Sequence, residues 1–164
     1  MDELNALGRT AGALLKARGQ TIAVAESSAG GLINASLVAV PGASAYYLGG
    51  AVIYTLVSRE KILGITKEEM KGIRSASEPF AQLMARRVRA NLGADWGLAE
   101  TGASGPSGNR YGDAAGHACI AVSGLREAVI TVETGSTDRE ANMREFARRA
   151  LALLASCMKG QSTV

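Results

Sequence analysis

A short apolar segment that ends in small polar residues constrains this chain most. Thr21–Ala25 is an apolar run with branched side chains, as expected for a strand buried on both faces. It is followed by Glu26-Ser27-Ser28-Ala29-Gly30-Gly31, and then by the periodic apolar residues of a helix over about 30–40. A serine hydroxyl at such a junction either caps the helix or serves as a nucleophile whose oxyanion is bound by the same amides. The sequence leaves both alternatives open.

The composition is typical of one globular domain, which we place over residues 1–164. Hydrophobic residues make up 47% of the chain, yet no stretch approaches the roughly 20 apolar residues that cross a bilayer. The first residues lack the basic and apolar regions of a signal peptide, so we expect a cytoplasmic protein. Cys119 and Cys157 lie in apolar segments, so we expect reduced core thiols and no metal site.

Positive charge is too dispersed to indicate a nucleic-acid partner. Lysine and arginine number 18 against 15 aspartate and glutamate residues, a small excess spread along the chain. The densest basic cluster, Arg86–Arg89, lies opposite an apolar helical stripe, so we interpret it as a solvated helix face. We therefore expect a small-molecule ligand, and neither nucleic acid nor membrane.

Helical and strand-like segments alternate along the chain. The predicted helices cover about 4–17, 30–40, 78–92 and 138–158, with short helical turns at 58–63 and 67–73. The predicted strands cover 21–26, 46–55, 96–99, 115–122 and 128–134. Gly49-Gly50 indicates a bulge or bend, and the last two strands form a hairpin. This order predicts an α/β fold, a three-layer α/β/α sandwich with a mixed, mostly parallel sheet.

A second glycine-rich loop, Glu100–Gly108, follows the predicted strand at 96–99 and repeats the carboxylate, hydroxyl and flexible turn of the first junction. Ligands of open α/β sheets bind at the carboxyl ends of strands, so the two loops outline one crevice, unless their glycines serve only tight turns. Their spacing matches neither a dinucleotide fingerprint nor a P-loop, but the amides suit a phosphate or carboxylate. His117 stands alone, and we interpret it as a partly buried strand residue.

Five motifs, in order, resemble the C-terminal domain of competence/damage-inducible protein CinA, a family that includes the nicotinamide-nucleotide amidase PncC. The segment Ala25–Gly31 corresponds to the family motif A-E-S-C-T-G-G, and Val40–Ala45 corresponds to V-P-G-[SA]-S-A. The segment Tyr54–Ile65 corresponds to Y-S-N-E-A-K-x-x-x-L-G-[VI]. The last two, Ala76–Glu78 and Thr101–Pro106, correspond to [VI]-S-E and T-G-I-A-G-P. The resemblance spans most of the chain, and it implies the family's fold.

The resemblance also implies an amidohydrolase, without metal or cofactor, that converts the carboxamide of nicotinamide mononucleotide to a carboxylate and ammonia. It implies Ser27 as the nucleophile, the Tyr54 hydroxyl as its neighbour and residue 59 as the activating lysine. Here residue 59 is arginine, whose guanidinium stays protonated and cannot act as the base. Glu100, where the family usually has a small or hydroxyl residue, is a possible replacement base. Glu26 suits this role less, because adjacent strand residues face opposite sides of the sheet.

Two functions therefore remain. In the first, the chain is an amidohydrolase: Ser27 attacks, amides near Ser28 to Gly30 stabilise the oxyanion, and Arg59 binds the phosphate or the tetrahedral anion. In the second, the chain keeps the nucleotide pocket without turnover and serves as a sensor or interaction module. The substrate-binding residues expected under both are Ser28, Ala29, Gly30, Gly31, Thr101, Gly102, Ser104 and Gly105. The family's self-association implies a homodimer.

Overall fold

The structure, a computed structural model, describes residues 2–160 and contains a five-stranded sheet between two layers of helices. The strands are β1 (Ile22–Glu26), β2 (Tyr47–Val52), β3 (Trp96–Ala103), β4 (His117–Ser123) and β5 (Ala128–Glu133). The α-helices are α1 (Asp2–Arg18), α2 (Leu32–Val38), α3 (Leu56–Leu63), α4 (Glu78–Leu92) and α5 (Arg139–Lys159). Within these described residues, no helix combines the length and the apolar character that a membrane crossing requires.

The sheet has the strand order β2-β1-β3-β4-β5. Strands β2, β1 and β3 run parallel, whereas β4 is antiparallel to both β3 and β5. Four strands therefore share one direction, and β4 and β5 form the predicted hairpin. The mixed, mostly parallel sheet and the α/β/α layering are confirmed.

The two faces of the sheet bury residues of different size, because successive strand residues point to opposite sides. One face carries Ile22, Val24 and Trp96 and packs under α1, α2 and α5. The other carries mainly alanines, such as Ala23 and Ala25, which let α4 lie close to the strands. The two polar loops lie at the carboxyl ends of the parallel strands β1 and β3, at one edge of the sheet.

The ends of the helices on the α4 face follow sequence signals. Ser77 caps α4 by accepting a hydrogen bond from the Phe80 amide at 3.4 Å, and Pro79 lies in the first turn. Thr55 caps α3 in a capping box with Ser58. Residues 67–73 form consecutive hydrogen-bonded turns and no regular helix, whereas 58–63 lie within α3.

Two strand predictions have different outcomes. The bulge expected at the glycines is confirmed, because the β1–β2 register shifts between Ile22 and Ala23, opposite Gly49 at φ +154°. The boundary of β3 is wrong: the segment 100–103, predicted as loop, continues the strand. It pairs with β4 as far as Ala103 opposite His117, and this antiparallel ladder overrides the loop-like composition of the segment.

Candidate functional site

Glu26 caps helix α2, which decides the role of the neighbouring serines. Its buried carboxylate accepts hydrogen bonds from the amides of Gly31 at 2.8 Å, Ile33 at 3.2 Å and Asn34 at 2.8 Å, and from the Asn34 side chain at 2.6 Å. Burial raises the pKa of Glu26, while these bonds oppose the shift. Neither serine caps α2, so the capping alternative is wrong.

Glu100, on β3, holds the turn between β1 and α2 through hydrogen bonds to residues 27–29. One carboxylate oxygen accepts hydrogen bonds from the amides of Ser27 at 3.0 Å and Ala29 at 2.9 Å, and the other accepts one from the Ser28 hydroxyl. Glu100 is fully buried and lies outside the cavity lining. Loss of hydration on burial raises the pKa of Glu100 to about 7, despite the three bonds that favour the carboxylate. No described contact joins Glu100 to the Ser27 hydroxyl, so Glu100 positions the turn.

The expected binding role of Ala29, Gly30 and Gly31 needs correction. Their amides donate to protein acceptors, namely Glu100, the Ser27 carbonyl at 3.0 Å and Glu26. None of the three residues lines the cavity. Because these amides already have partners, they are not available to an oxyanion. Within residues 27–31 of the described chain, the Ser28 amide is the one without an acceptor, so it replaces them as the candidate oxyanion donor.

A cavity of about 520 Å³ lies above the carboxyl ends of β1 and β3. Both polar loops line it, together with the segment after β2, helix α3 and the start of α5. The predicted site residues that it brings together are Ser27, Ser28, Tyr54, Arg59, Thr101, Gly102, Ser104 and Gly105. The single crevice expected from the two loops is therefore present, and its size is that of an ordinary small-molecule site.

Ser27 and Arg59 face this cavity with unused polar atoms. Ser27 is half-buried, and its hydroxyl has no hydrogen-bond partner among residues 2–160. Arg59 is only 7% exposed, and its Nε is buried without an acceptor. In this part of the chain Arg59 also forms no ion pair. The site thus presents a hydroxyl and a guanidinium to a ligand.

Arg139, at the start of α5, is a cavity residue that sequence reasoning missed. It donates to the Tyr54 hydroxyl at 2.9 Å and to the Gly105 carbonyl at 2.5 Å, joining α5 to both rims of the cavity. Asn142 reinforces this junction by donating to the Ser104 carbonyl at 2.9 Å. No local motif marks Arg139, since its place depends on how α5 packs against the loop after β3.

Two other predicted residues serve the backbone around the cavity. The Thr101 hydroxyl accepts a hydrogen bond from the Ala76 amide at 3.2 Å and so supports Ala76, a non-glycine residue at φ +54°. At Gly102 an added Cβ would lie 2.3 Å from the His117 carbonyl, so pairing with β4 demands a glycine here.

His117 belongs to a second polar cluster beside the cavity. It is buried, bonds Glu133 at 2.5 Å and donates to the Ala76 carbonyl at 2.8 Å. Burial lowers the pKa of His117, but the bonds to Glu133 and Ala76 and the nearby charge of Asp113 raise it above its ordinary value. His117 is thus a buried strand residue that supports the site from outside its lining.

The buried carboxyl group of Glu100 predicts a pH-dependent stability. Between the ordinary glutamate pKa of 4.5 and the raised pKa of about 7, Glu100 is protonated in the folded chain and ionised in the unfolded chain, so stability falls as pH rises through this window. Glu100→Gln keeps an acceptor for the two amides and removes the titration. Relative to this variant, we expect the wild type to lose about 2 kcal/mol between pH 5 and 8, measured by urea unfolding. Parallel pH profiles for the two proteins would contradict this.

Comparison with known proteins identifies the family of this chain and agrees with its fold. The sequence profile of the CinA C-terminal domain matches residues 4–158. A CinA-like protein of Gloeobacter violaceus is 42% identical over 121 residues, which cover 74% of this chain and 28% of that protein. A CinA-like protein of Prochlorococcus marinus is 40% identical over 111 residues, covering 68% and 26%. The chain thus spans about a quarter of the length of these curated relatives.

Solved structures share the whole architecture. A CinA superfamily protein of Klebsiella pneumoniae superposes with a TM-score of 0.89 at 26% identity, covering 96% of this chain and 98% of that one. Another from Escherichia coli has a TM-score of 0.83 at 28% identity, covering 92% and 90%. The motifs at the two loops, the sheet order and these matches agree, and the chain belongs to the CinA C-terminal domain family.

Proposed function

We propose that this chain is an amidohydrolase of the nicotinamide-nucleotide type, which converts the carboxamide of a pyridine mononucleotide to a carboxylate and ammonia. The observation that carries the proposal is the Ser27 hydroxyl, unused by any helix cap and open to a cavity that it shares with Arg59 and Tyr54. Membership of the CinA C-terminal domain family supports the substrate class. A volume of about 520 Å³ suits a ligand of mononucleotide size.

In the proposed reaction, the Ser27 oxygen attacks the carboxamide carbon while its hydroxyl proton is relayed by water towards the amide nitrogen. The carbonyl π pair moves onto oxygen, and the resulting oxyanion is stabilised by the Arg59 guanidinium and the Ser28 amide. When the oxyanion re-forms its double bond, the nitrogen takes up the proton and leaves as ammonia. Water then attacks the acyl-serine ester, which releases the carboxylate and restores the hydroxyl.

Hydrolysis needs a group that accepts the serine proton, whereas binding of a ligand does not. Among the described residues that line the cavity there is no lysine, histidine, aspartate or glutamate. Glu100 has a pKa of about 7, suitable for a base, but it contacts the Ser28 hydroxyl and only the backbone of Ser27. Ser28 lines the cavity as well, so the Ser28–Glu100 pair is a second candidate for nucleophile and base.

The absence of a lysine at position 59 favours a second candidate function, a nucleotide-binding module without turnover. Arg59 supplies permanent positive charge, which binds an anion but accepts no proton. Ser27, Tyr54 and the two loops would then be retained to hold the nucleotide.

Arg59→Lys distinguishes the two functions. A buried lysine amine can lose its proton near neutral pH, so we expect this variant to release ammonia from nicotinamide mononucleotide about 100-fold faster than the wild type. Arg59→Met, which removes the charge without adding an amine, is the matched control and should show no gain. Slow release by the wild type supports the amidohydrolase. No release by the wild type, with gain in Arg59→Lys, rejects it and supports the binding module.

A further inference from the structure

The guanidinium of Arg59 is a buried positive charge without a counter-charge. Arg59 is 7% exposed, its Nε has no acceptor, and it forms no ion pair within residues 2–160. Buried charges in proteins are normally paired, because an unpaired one loses its hydration without compensation. Since Arg59 lines the cavity, a ligand bound there is in a position to supply the missing anion.

The rest of the cavity adds positive charge and no negative charge. Arg139 and Arg110 also line it, from α5 and from the loop after β3. The partners of Arg139 are a hydroxyl and a carbonyl, both neutral, so its charge remains available to a ligand. No aspartate or glutamate is among the described residues of the lining. The three guanidinium groups therefore favour an anionic ligand in this cavity.

A guanidinium distinguishes a carboxylate from a carboxamide by its donors. Arginine has five N–H donors and no acceptor, and its planar fork matches both oxygens of a carboxylate. A carboxamide presents one oxygen and one NH₂ group, and the NH₂ group faces the guanidinium donors without an acceptor. A lysine amine at this position lacks the planar fork.

We infer that the cavity prefers a pyridine nucleotide bearing a carboxylate over the corresponding carboxamide, with that carboxylate paired to Arg59. The inference rests on the proposed function for the ligand class, but it does not require turnover. In an amidohydrolase, this preference means that the product is held more tightly than the substrate. In a module without turnover, it makes the chain a receptor for the nucleotide acid.

The test is calorimetric titration of nicotinate mononucleotide and nicotinamide mononucleotide, which share ribose and phosphate and differ only at the ring substituent. The Ser27→Ala variant serves as the host, so that the amide is not consumed. We expect the acid to bind about tenfold more tightly or better. Adding Arg59→Met should bring the two dissociation constants together. Arg144→Met, at an exposed arginine of α5 outside the cavity lining, is the matched control and should keep the preference.

Ribose 5-phosphate tests whether Arg59 instead binds the phosphate. If Arg59→Met weakens ribose 5-phosphate and both nucleotides equally, Arg59 pairs with the phosphate and the inference fails. Equal affinity of the acid and the amide for the Ser27→Ala protein also overturns it, whatever the folding of the Arg59 variant.

Failure of the inference is distinguishable from failure of the proposed function. Ammonia release by the wild type without a preference for the acid rejects the inference alone. Preference for the acid without ammonia release rejects hydrolysis alone. If neither nucleotide binds, both are wrong.

Discussion

Replacement of Ser27 by alanine is expected to lower ammonia release from nicotinamide mononucleotide by about 10³-fold, because the variant has no oxygen to attack the carboxamide. Ser27 lies on the cavity, and its hydroxyl has no hydrogen-bond partner among the described residues, so it is free to react. Both the wild type and the Arg59→Lys protein serve as backgrounds, so that a slow wild-type rate does not hide the loss.

Ser28→Ala is the matched control for this experiment. Its hydroxyl donates to buried Glu100, so its loss disturbs the turn but leaves in place Ser27, the nucleophile of the proposed reaction. We expect its rate to fall by less than about tenfold, since a positioning contact costs less than the reacting atom. The reverse pattern, with Ser28→Ala inactive and Ser27→Ala active, would assign the nucleophile to the Ser28–Glu100 pair. Melting curves of both variants separate lost chemistry from lost fold.

Glu26→Ala is expected to destabilise the chain by about 4 kcal/mol, because it leaves three amides at the start of α2 without an acceptor. The carboxylate is fully buried, so water cannot easily replace it. It also bonds the Asn34 side chain, whose oxygen accepts from the Tyr47 hydroxyl at 2.5 Å, so the loss extends to β2. Urea unfolding at pH 7 measures the change.

Glu68→Ala is the control for Glu26→Ala. Glu68 is exposed, its side chain has no described hydrogen bond, and its replacement should change stability by no more than about 0.5 kcal/mol. If Glu26→Ala costs less than about 1 kcal/mol, the carboxylate does not act as the cap of α2. The serines would then regain a capping role, and the argument that Ser27 is free would fail.

The layers of the fold were predictable because their signals are local. The branched run at 21–25 and the amphipathic stripe of 78–92 indicate their elements within a few residues, and Gly49-Gly50 marks the bulge. The extent of β3 was not predictable, because Thr101 and Gly102 have loop-like composition and only the ladder with β4 makes them strand.

The site was predictable only in part, for a similar reason. The two loop motifs placed Ser27 and Thr101 on one cavity, since parallel strands end at one edge of the sheet. The roles of the two glutamates depend on side chains that reach across the turn, so that Glu26 caps α2 and Glu100 binds the amides of Ser27 and Ala29. Arg139 comes from a distant helix, and no spacing rule connects it to the cavity.

The central claim is that the cavity holding Ser27 and Arg59 binds a pyridine nucleotide with its reacting group at residue 27. A crystal structure of the Ser27→Ala protein with nicotinamide mononucleotide tests it most directly. The account predicts ligand density in this cavity, with the carboxamide beside residue 27 and the Arg59 guanidinium, and with the phosphate near Arg139 or Arg110. A saturating nucleotide that leaves the cavity empty, or binds with its carboxamide away from residue 27, would contradict the account.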